Sequence, residues 1–434
     1  PTALQFTEGF GSREYEEYLL ERPPVIGPLS LYVHIPYCRN ICYYCACNKI
    51  VTRDAAVAER YIVAVEKEIA LLSRHFDRRR RVTQLHWGGG TPTFLGPAEL
   101  TRLMHGLAKH FSLIDAPERE YSIEIDPRSV DTGTIALLKG LGFNRVSMGI
   151  QDFDPAVQRA VNRIQPFDMV ESLVDAVREH RFKSLSFDLI YGLPLQSPAS
   201  MEQTLAKVLA LNPDRVSCYS YAHLPDVFSS QRSIDRMQLP SADEKLEVLH
   251  TIIDTLTDAG YLYVGMDHFV KPEDELAQAL HNGTLQRNFQ GYSTQLAPEL
   301  VGIGVSSISS TADLYCQNVK TVDEYYALLE QDKLPVQRGL RLTSEDQLRR
   351  DVIMRLICRM GIDTAEIGER HGIDFASHFA REMRILGDME REGLLASEGD
   401  HIRVTAAGRP LVRNICMVFD AYVDPSRQRF SRTI

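Results

Sequence analysis

The sequence lacks several features that would each assign the chain to a large class. No run of eighteen apolar residues occurs, which excludes a long apolar transmembrane helix. The N-terminus has no basic stretch followed by an apolar one, so it does not resemble a secretion signal. Basic residues are not in excess, and the net charge of −10 disfavours nonspecific nucleic-acid binding. With 44% apolar and 24% charged residues, the 434-residue chain has an ordinary globular composition.

The cysteines also lack the distribution of a secreted disulfide protein. Four of the eight fall within ten residues, and the other four are scattered among apolar neighbours: Cys218, Cys316, Cys358 and Cys416. Disulfide frameworks spread their cysteines to close loops, whereas tight clustering is typical of metal ligands. We therefore expect a metal site in a protein of the reducing cytoplasm, and buried packing for the scattered thiols.

Short strand-like runs alternate with amphipathic helical stretches from about residue 29. Repeated strand–helix units require a parallel sheet with right-handed crossovers. We predict an α/β fold in which residues 29–339 form a complete or partial (β/α) barrel, with a doubly wound sheet as the alternative. The predicted strands are 29–36, 82–89, 121–126, 145–151, 184–192, 214–221 and 261–269.

The two ends of the chain differ from this pattern. Residues 1–28 are expected to be an N-terminal extension that is truncated here, because the chain begins without Met. Residues 340–434 contain two amphipathic helical stretches followed by a two-stranded wing with a Gly-Asp turn, which resembles a winged-helix module. From 341 to 434 there are 15 Arg and 15 acidic residues, so DNA binding is disfavoured. We predict a mostly helical cap over the barrel.

Cys38, Cys42 and Cys45 form a C-x3-C-x2-C motif directly after the first predicted strand. On one loop, three thiolates suit three corners of a 4Fe–4S cube and leave the fourth iron open to S-adenosylmethionine. A structural zinc site is the alternative, although zinc usually takes two well-separated Cys-x-x-Cys pairs. The position of Cys47 does not decide whether it packs as a structural thiol or touches the cluster environment.

Polar and glycine residues at the other predicted strand ends suit such a cofactor. Gly88, Gly89 and Gly90 would allow the ammonium group to approach backbone carbonyls. Carboxylates at Glu124 and Asp188 suit a ribose diol, and Arg163 suits the cofactor carboxylate.

The motifs resemble one family, the oxygen-independent coproporphyrinogen III oxidases, over essentially the whole chain. They occur in order as YVHIPYCRNICYYCACNK, LHWGGGTPTFL, SIEIDPR, SMGIQDF, DLIYGLP, YAHLP, RNFQGY and GIGVSSIS. The resemblance implies a radical enzyme of anaerobic haem biosynthesis, with one 4Fe–4S cluster and two S-adenosylmethionine molecules. A deoxyadenosyl radical would oxidatively decarboxylate two propionates of coproporphyrinogen III to vinyl groups, giving protoporphyrinogen IX.

The resemblance also implies a set of site residues. Tyr32 and Gln290 are expected to be catalytic, and Cys38, Cys42 and Cys45 to bind the cluster. The double cofactor site would be lined by Tyr32, Tyr44, Gly89, Gly90, Thr91, Glu124, Gln151, Arg163, Asp188, Ala222, Phe289, Gln290 and Ile308. Substrate propionates could be met by Arg39, Arg163, Arg287 and Asn288. We expect a monomer reduced by a partner such as flavodoxin or ferredoxin, without nucleic-acid or membrane partners.

The chain departs from the family pattern in three places. Tyr44 replaces a common phenylalanine and Ala46 a common glycine, while the chain starts inside an N-terminal segment thought to fold towards the active site. Other functions on this scaffold are a haem chaperone and a haem-degrading radical methyltransferase. A zinc-dependent winged-helix regulator is more distant. Cys47 and RNFQGY favour the oxidase, because haem chaperones generally lack them.

Overall fold

The computed structural model describes residues 3–289, 291–295 and 297–423. The chain divides into two compact units. One, here called the sheet unit, contains residues 6–255 and 297–341; the other, the C-terminal unit, contains 1–5, 256–296 and 342–434. None of the described helices is both long enough and apolar enough to span a bilayer.

A largely parallel sheet forms the centre of the sheet unit. Its strands are β1 (Leu29–Ile35), β2 (Arg81–Gly89), β3 (Glu120–Ile125), β4 (Arg145–Gln151), β5 (Ser184–Tyr191), β6 (Arg215–Ser220), β7 (Glu299–Ile303), β8 (Ile308–Ser310), β9 (Leu314–Asn318) and β10 (Val336–Arg341). Strands β1 to β6 are neighbours in chain order and run parallel, and β7 joins the free side of β1. Strands β8 to β10 continue the sheet in antiparallel fashion. Six successive parallel strands therefore follow one another in one direction across the sheet, and β7 lies on the other side of β1.

Helices connect the parallel strands, as the alternating pattern predicts. The connecting helices are Ala56–Leu72, Pro97–His110, Thr132–Gly140, Pro155–Ala160, Phe167–Glu179 and Pro198–Leu211. Three others lie elsewhere in the order: Ser12–Glu21 precedes β1, Ala242–Asp258 follows β6, and Val322–Glu330 connects β9 to β10. Proline occupies the first turn of three of the connecting helices, where its missing N–H costs nothing. The first six predicted strands are confirmed to within one residue at most ends, because each is a short apolar run bounded by polar or glycine punctuation.

Strands β7 to β10 were not anticipated from the sequence. The segment 299–341 has short strands and the antiparallel pairing of β8 to β10, so it lacks the strand–helix alternation on which the assignment of the earlier strands rests. The glycine at 302 explains how β8 can fold back: a Cβ there would lie 2.6 Å from the Ile308 carbonyl. Only glycine permits that approach.

The C-terminal unit combines helices with an antiparallel hairpin, a two-stranded antiparallel sheet and a three-stranded antiparallel sheet. Its strands are Leu262–Gly265, His268–Val270, Gln286–Asn288, Gly291–Ser293, Gly361–Asp363, Leu395–Glu398 and His401–Val404. Its helices are Glu275–His281, Ser344–Arg359, Thr364–His371, Phe375–His378, Ala380–Arg391 and Val412–Met417. The core includes Val352, Leu356, Phe379 and Phe419, each fully buried. Residues 256–295 thus group with the C-terminal helices, and the domain boundaries predicted from the sequence stay a prediction.

Two elements predicted in this unit differ from the structure. The single strand expected over 261–269 is two short antiparallel strands, because Gly265 and Met266 adopt φ of 143° and 55° and reverse the chain. The helical stretch expected from Phe375 to Glu392 is interrupted at Phe379, whose ψ of 31° leaves the helical range. An antiparallel hairpin with its turn at Gly399 and Asp400 is present where the wing was expected, and a third strand, Gly361–Asp363, pairs with it.

A buried ion cluster fixes the edge of the sheet opposite the strand ends that carry the motifs. Glu299, 1% exposed at the start of β7, pairs with the guanidinium groups of Arg22 and Arg80. It therefore joins the end of helix Ser12–Glu21 to the loop before β2. The three charges are removed from water together, so the stability of this edge depends on all of them being present.

We expect Glu299→Gln to lower the free energy of unfolding by about 3–5 kcal/mol, because two buried guanidinium groups lose their counter-charge. Denaturant unfolding of the purified protein measures this. The matched control is Glu118→Gln, since Glu118 makes an exposed pair with Arg81. Equal stability of the Glu299 variant and the control would contradict a stabilising role for the buried cluster.

Candidate active site

The three motif cysteines follow β1 on one loop. Cys38 lies in the two-residue strand Tyr37–Cys38, which pairs in parallel with Ile50–Val51, so both ends of the cysteine segment are anchored. All eight cysteines of the chain are free thiols. Within the loop, the carbonyl of Cys45 accepts hydrogen bonds from Ser230 Oγ and Lys49 Nζ, both at 3.1 Å. The sequence thus places the thiols at the carboxyl end of a central strand.

Two guanidinium groups approach the middle cysteine. Arg128 Nη2 lies 3.3 Å and Arg163 Nη1 lies 3.5 Å from Cys42 Sγ, while Thr91 Oγ1 lies 3.4 Å from Cys38 Sγ. Cations beside a thiol favour the thiolate, which is the form that binds iron. Burial raises the pKa of the Cys38 thiol to about 11, so iron must displace that proton on binding.

The donor set fits an iron–sulfur cluster better than one metal ion. Among the described residues, no group of three or more Cys, His, Asp or Glu side chains converges as a single ion requires. Tetrahedral zinc needs all its thiolates about 2.3 Å from one point. A cubane instead binds each thiolate to a different iron, which suits three thiols spread along one loop.

Cys47 is an exposed neighbour of Cys45. A hydrogen bond with Cys47 lowers the pKa of the Cys45 thiol, and Lys49 acts in the same direction. The structure therefore places Cys47 within the environment of the motif, which the spacing alone left open.

The glycine triplet at the end of β2 is required by the protein's own packing. A Cβ on Gly88 would lie 2.7 Å from Glu124 Oε1, and one on Gly90 would lie 2.6 Å from the Pro36 carbonyl oxygen. Gly89 has φ of 116°, and its Cβ would meet the His34 ring at 2.7 Å. The glycines therefore let the cysteine loop and Glu124 approach β2 closely, a reason that the sequence did not reveal.

A buried ion network lies beside the cysteines. Asp126 accepts from Arg128 at 2.7 Å and from Arg163 at 3.1 Å, and Arg163 also donates to the Gly149 carbonyl at 2.5 Å. Burial alone would raise the pKa of Asp126, but Arg163 and Arg128 hold it at about 2. Arg163 is thus fixed in place by protein groups, and its Nε has no hydrogen-bond partner among the described residues.

Glu124 is positioned through a histidine. Its Oε1 accepts from His86 Nε2 at 2.9 Å, and His86 Nδ1 lies 2.5 Å from Ser122 Oγ. The Tyr32 ring stacks on His86 with centroids 5.8 Å apart, and its hydroxyl lies 3.1 Å from His34 Nδ1. Tyr32 and Glu124 are therefore brought together by one imidazole, although they lie on different strands.

Two further predicted residues lie on β4 and β5: Gln151 ends β4, whereas Asp188 lies inside β5, three residues before Tyr191. Asp188 accepts from Ser147 Oγ at 2.7 Å, and burial raises its pKa to about 6. Gln151 adopts φ of 67°, which is uncommon outside glycine and asparagine and often marks a functional position. Its amide packs over Gly149, where a Cβ would lie 2.7 Å from Nε2.

One cavity gathers most of the predicted site. The three motif cysteines line it together with Tyr44, Gly89, Gly90, Thr91, Glu124, Gln151, Arg163 and Asp188. Tyr32 does not line the cavity; it stacks on His86, which binds the lining residue Glu124. Ala222 and Ile308 belong to the same unit but do not line this cavity, and Phe289 lies in the C-terminal unit, 49% exposed. Gln290 lies outside the described residues, so the residue roles stay predictions.

Sequence reasoning missed several residues that hold the site. Arg128 and Asp126 were part of the SIEIDPR motif but received no role, although a charged pair at a strand end was a usable signal. Gln231 donates to the Tyr44 carbonyl at 3.1 Å and, with Ser230, clamps the cysteine loop. No sequence pattern indicates that contact, because the two segments lie far apart in the chain.

The comparisons agree with this arrangement. A family model described as the radical SAM superfamily matches residues 32–208, and one described as the HemN C-terminal domain matches residues 342–411. The chain is thus a member of the radical SAM class, whose members use a 4Fe–4S cluster and S-adenosylmethionine.

Relatives narrow the class. The chain is 49% identical over 435 residues to the oxygen-independent coproporphyrinogen III oxidase of Pseudomonas aeruginosa, covering 100% of this chain and 95% of the relative. Identity to the oxidase of Escherichia coli K12 is 46% over 436 residues, which cover 100% of this chain and 94% of the relative. One solved structure is coproporphyrinogen III oxidase (HemN) from Escherichia coli, which is described as a radical SAM enzyme. It matches with a TM-score of 0.93, and the match covers 98% of this chain and 96% of that chain. The chain belongs to the oxygen-independent coproporphyrinogen III oxidase family.

We expect Gly89→Ala to destabilise the protein by about 1–3 kcal/mol or more and to reduce iron uptake, because the new Cβ collides with His34 beside the cysteine loop. Iron content after reconstitution and thermal unfolding measure the two effects. Gly140→Ala is the matched control, since nothing lies within 4 Å of its Cβ and it ends a helix. A Gly89 variant as stable and as iron-rich as the control would contradict the packing role.

Proposed function

We propose that this chain oxidatively decarboxylates two propionate side chains of coproporphyrinogen III to vinyl groups, giving protoporphyrinogen IX. The observation that carries the proposal is the trio Cys38, Cys42 and Cys45 on the rim of a cavity that also holds Glu124 and Asp188. The chain is similar over its full length to coproporphyrinogen III oxidases, and from this similarity we infer the substrate. Those relatives do not favour the haem chaperone or the methyltransferase.

The residues around the cavity suit the expected cofactors. The cluster, when bound, supplies the electron that cleaves S-adenosylmethionine to a carbon radical. Cys38, Cys42 and Cys45 hold the cluster, and Arg128 donates to the Cys42 sulfur and offsets its negative charge. Glu124, held by His86, accepts from a ribose diol, and the buried guanidinium of Arg163 offers charge to a carboxylate.

A second S-adenosylmethionine molecule completes the site in this proposal. Ala222, Phe289, Gln290 and Ile308 contribute to its binding, and Tyr32 and Gln290 act at the reacting centre. The Tyr32 hydroxyl suits that role because it lies near His34 and the cluster loop, and burial raises its pKa well above the usual value. It therefore stays protonated and can donate a hydrogen bond.

Substrate propionates need cationic or amide partners. Arg39 is exposed on the cysteine loop and lines the cavity, with its guanidinium 5.7 Å from the Phe94 ring centroid. Arg287 stacks over Tyr292 at 4.8 Å in the hairpin that also contains Asn288. These residues, with Arg163, are the candidates for the anionic groups of the substrate.

We propose the arrangement of strands and domains from the resemblance to coproporphyrinogen III oxidases. The parallel strands β1 to β7 form a partial barrel with the antiparallel strands at one edge. The strands 361–363, 395–398 and 401–404, with the preceding helices, form a winged-helix-like cap domain. In this proposal the domains remain 1–28, 29–339 and 340–434, and the protein acts as a cytoplasmic monomer reduced by flavodoxin or ferredoxin.

The activity is tested by anaerobic reconstitution of the cluster followed by addition of reductant, S-adenosylmethionine and coproporphyrinogen III. We expect methionine, deoxyadenosine and vinyl porphyrinogen to form together. Each of Cys38→Ser, Cys42→Ser and Cys45→Ser should abolish the brown cluster and cofactor cleavage, because each removes one iron ligand. Cys218→Ser is the control, since Cys218 is a buried strand residue with no role in the motif. Full iron content in a motif variant would count against the ligand assignment.

A separate expectation concerns the second cofactor molecule. Ile308→Ala and Gln290→Ala should leave the cluster intact but suppress vinyl formation, because both residues contribute to binding that molecule. Absorbance of the cluster and product chromatography separate the two effects. Unchanged turnover in both variants would refute the double site.

A further inference from the structure

A buried carboxylate outside the cavity has an unusual set of partners. Glu68, on helix Ala56–Leu72, is 1% exposed. It accepts hydrogen bonds from Gly304 N at 2.7 Å, Asn318 Nδ2 at 2.7 Å and the Tyr325 hydroxyl at 2.5 Å. In the described part of the chain, hydrogen bonds rather than a cation stabilise the Glu68 carboxylate. Burial raises its pKa to about 7. Such a group is expensive to bury, so its contacts point to a specific task.

One of the three contacts ends directly on a tight turn, residues 304–307, and a second reaches that turn through Asn318. Asn318 Nδ2 also donates to the Gly304 carbonyl at 2.9 Å and lies 3.1 Å from Ser307 Oγ. The carboxylate and this amide therefore hold both ends of the turn. The three side-chain hydrogen bonds of Asn318 all run from its NH2 group, so the amide cannot rotate without breaking them.

The same turn touches the end of β1. Val305 N donates to the Tyr61 hydroxyl at 3.0 Å, and that hydroxyl donates to the His34 carbonyl at 2.8 Å. Gly304 has φ of 96°, and a Cβ there would lie 2.6 Å from the His34 carbonyl oxygen. The turn is thus wedged between Glu68 and the strand that leads into the cysteine loop.

Ile308 follows the turn directly and begins β8. Its backbone packs so tightly on Gly302 that a Cβ at 302 would lie 2.6 Å from the Ile308 carbonyl. The position of Ile308 therefore depends on the turn before it and on β7 beside it. We propose that Glu68 and Asn318 are positioning residues for the S-adenosylmethionine molecule that Ile308 contacts. This inference rests on the role given to Ile308 in the proposed function.

The third partner of Glu68 provides a matched control. Tyr325 belongs to helix Val322–Glu330, so its hydrogen bond joins Glu68 to a helix rather than to the turn. Tyr325→Phe removes one bond from the same carboxylate without removing a bond to the turn. Glu299→Gln is the second control, because it perturbs a carboxylate equally buried at the opposite end of β7.

The test measures binding of radiolabelled S-adenosylmethionine to the reconstituted full chain, together with iron content and melting temperature. In Glu68→Gln the new NH2 group faces a donor in either orientation of the amide, the Asn318 NH2 group or the Gly304 N–H. In Asn318→Ala the turn loses the side-chain hydrogen bonds that hold it. We expect both variants to keep their iron and to weaken the second, weaker binding step about tenfold, as the loss of a charge-assisted hydrogen bond implies. Tyr325→Phe and Glu299→Gln should lower the melting temperature without that loss of affinity.

In an Ile308→Ala background, Glu68→Gln should add little further loss of affinity, because both changes act on one contact.

Unchanged affinity in Glu68→Gln and Asn318→Ala would overturn the inference, as would an equal loss in the two controls. If Glu68→Gln does not fold, Asn318→Ala decides. The outcome is separable from the proposed activity: wild-type protein that binds two molecules but forms no vinyl product refutes the activity and leaves the positioning role intact. Wild-type protein that binds only one molecule refutes the double site and this inference with it.

Discussion

The position of the cysteine loop depends on β1 being held on both sides. The strand pairs in parallel with β2 from Leu29 to Ile35 and with β7 from Leu29 to Val33. Its carboxyl end is then enclosed by two glycines of positive φ, Gly89 after β2 and Gly304 after β7. A Cβ on either would collide with His34, four residues before Cys38. Backbone packing rather than side-chain chemistry therefore fixes where the first thiol lies.

The carboxylates that line the cavity differ in the charged groups that surround them. Asp126 is neutralised by Arg163 and Arg128, and the same guanidinium groups reach the Cys42 sulfur. Within the described residues, Glu124 pairs with His86 rather than with a guanidinium group. The neighbouring charge of Glu124 adds to the burial that raises the pKa of Asp188 to about 6. Because folding raises this pKa from 3.8 to about 6, the free energy of unfolding falls as the pH rises through that range, and above it the cost of ionised Asp188 is constant. Hydrogen bonds from a ribose diol would offset this cost when the cofactor binds.

The sequence predicts the first six parallel strands and the cysteine loop because each depends on local pattern: alternating apolar runs, glycine punctuation and close thiol spacing. It does not predict β7 to β10, the reversal at Gly265 or the clamp from Ser230 and Gln231, which arise from contacts between distant segments. The glycines of LHWGGGTPTFL illustrate the difference. Their presence at a strand end was visible, but the atoms they make room for belong to His34, Pro36 and Glu124 and appear only in three dimensions.

The central claim is that three thiolates hold a 4Fe–4S cluster with one iron free for S-adenosylmethionine. Electron–nuclear double resonance of the reduced, reconstituted protein with S-adenosylmethionine labelled with 17O in its carboxylate tests it most directly. We predict a hyperfine coupling between the 17O nucleus and the electron spin of the reduced cluster. The 17O signal should be absent when unlabelled cofactor is used. A cluster without that coupling, or a colourless protein with a tetrahedral metal and no sulfide, would contradict the account.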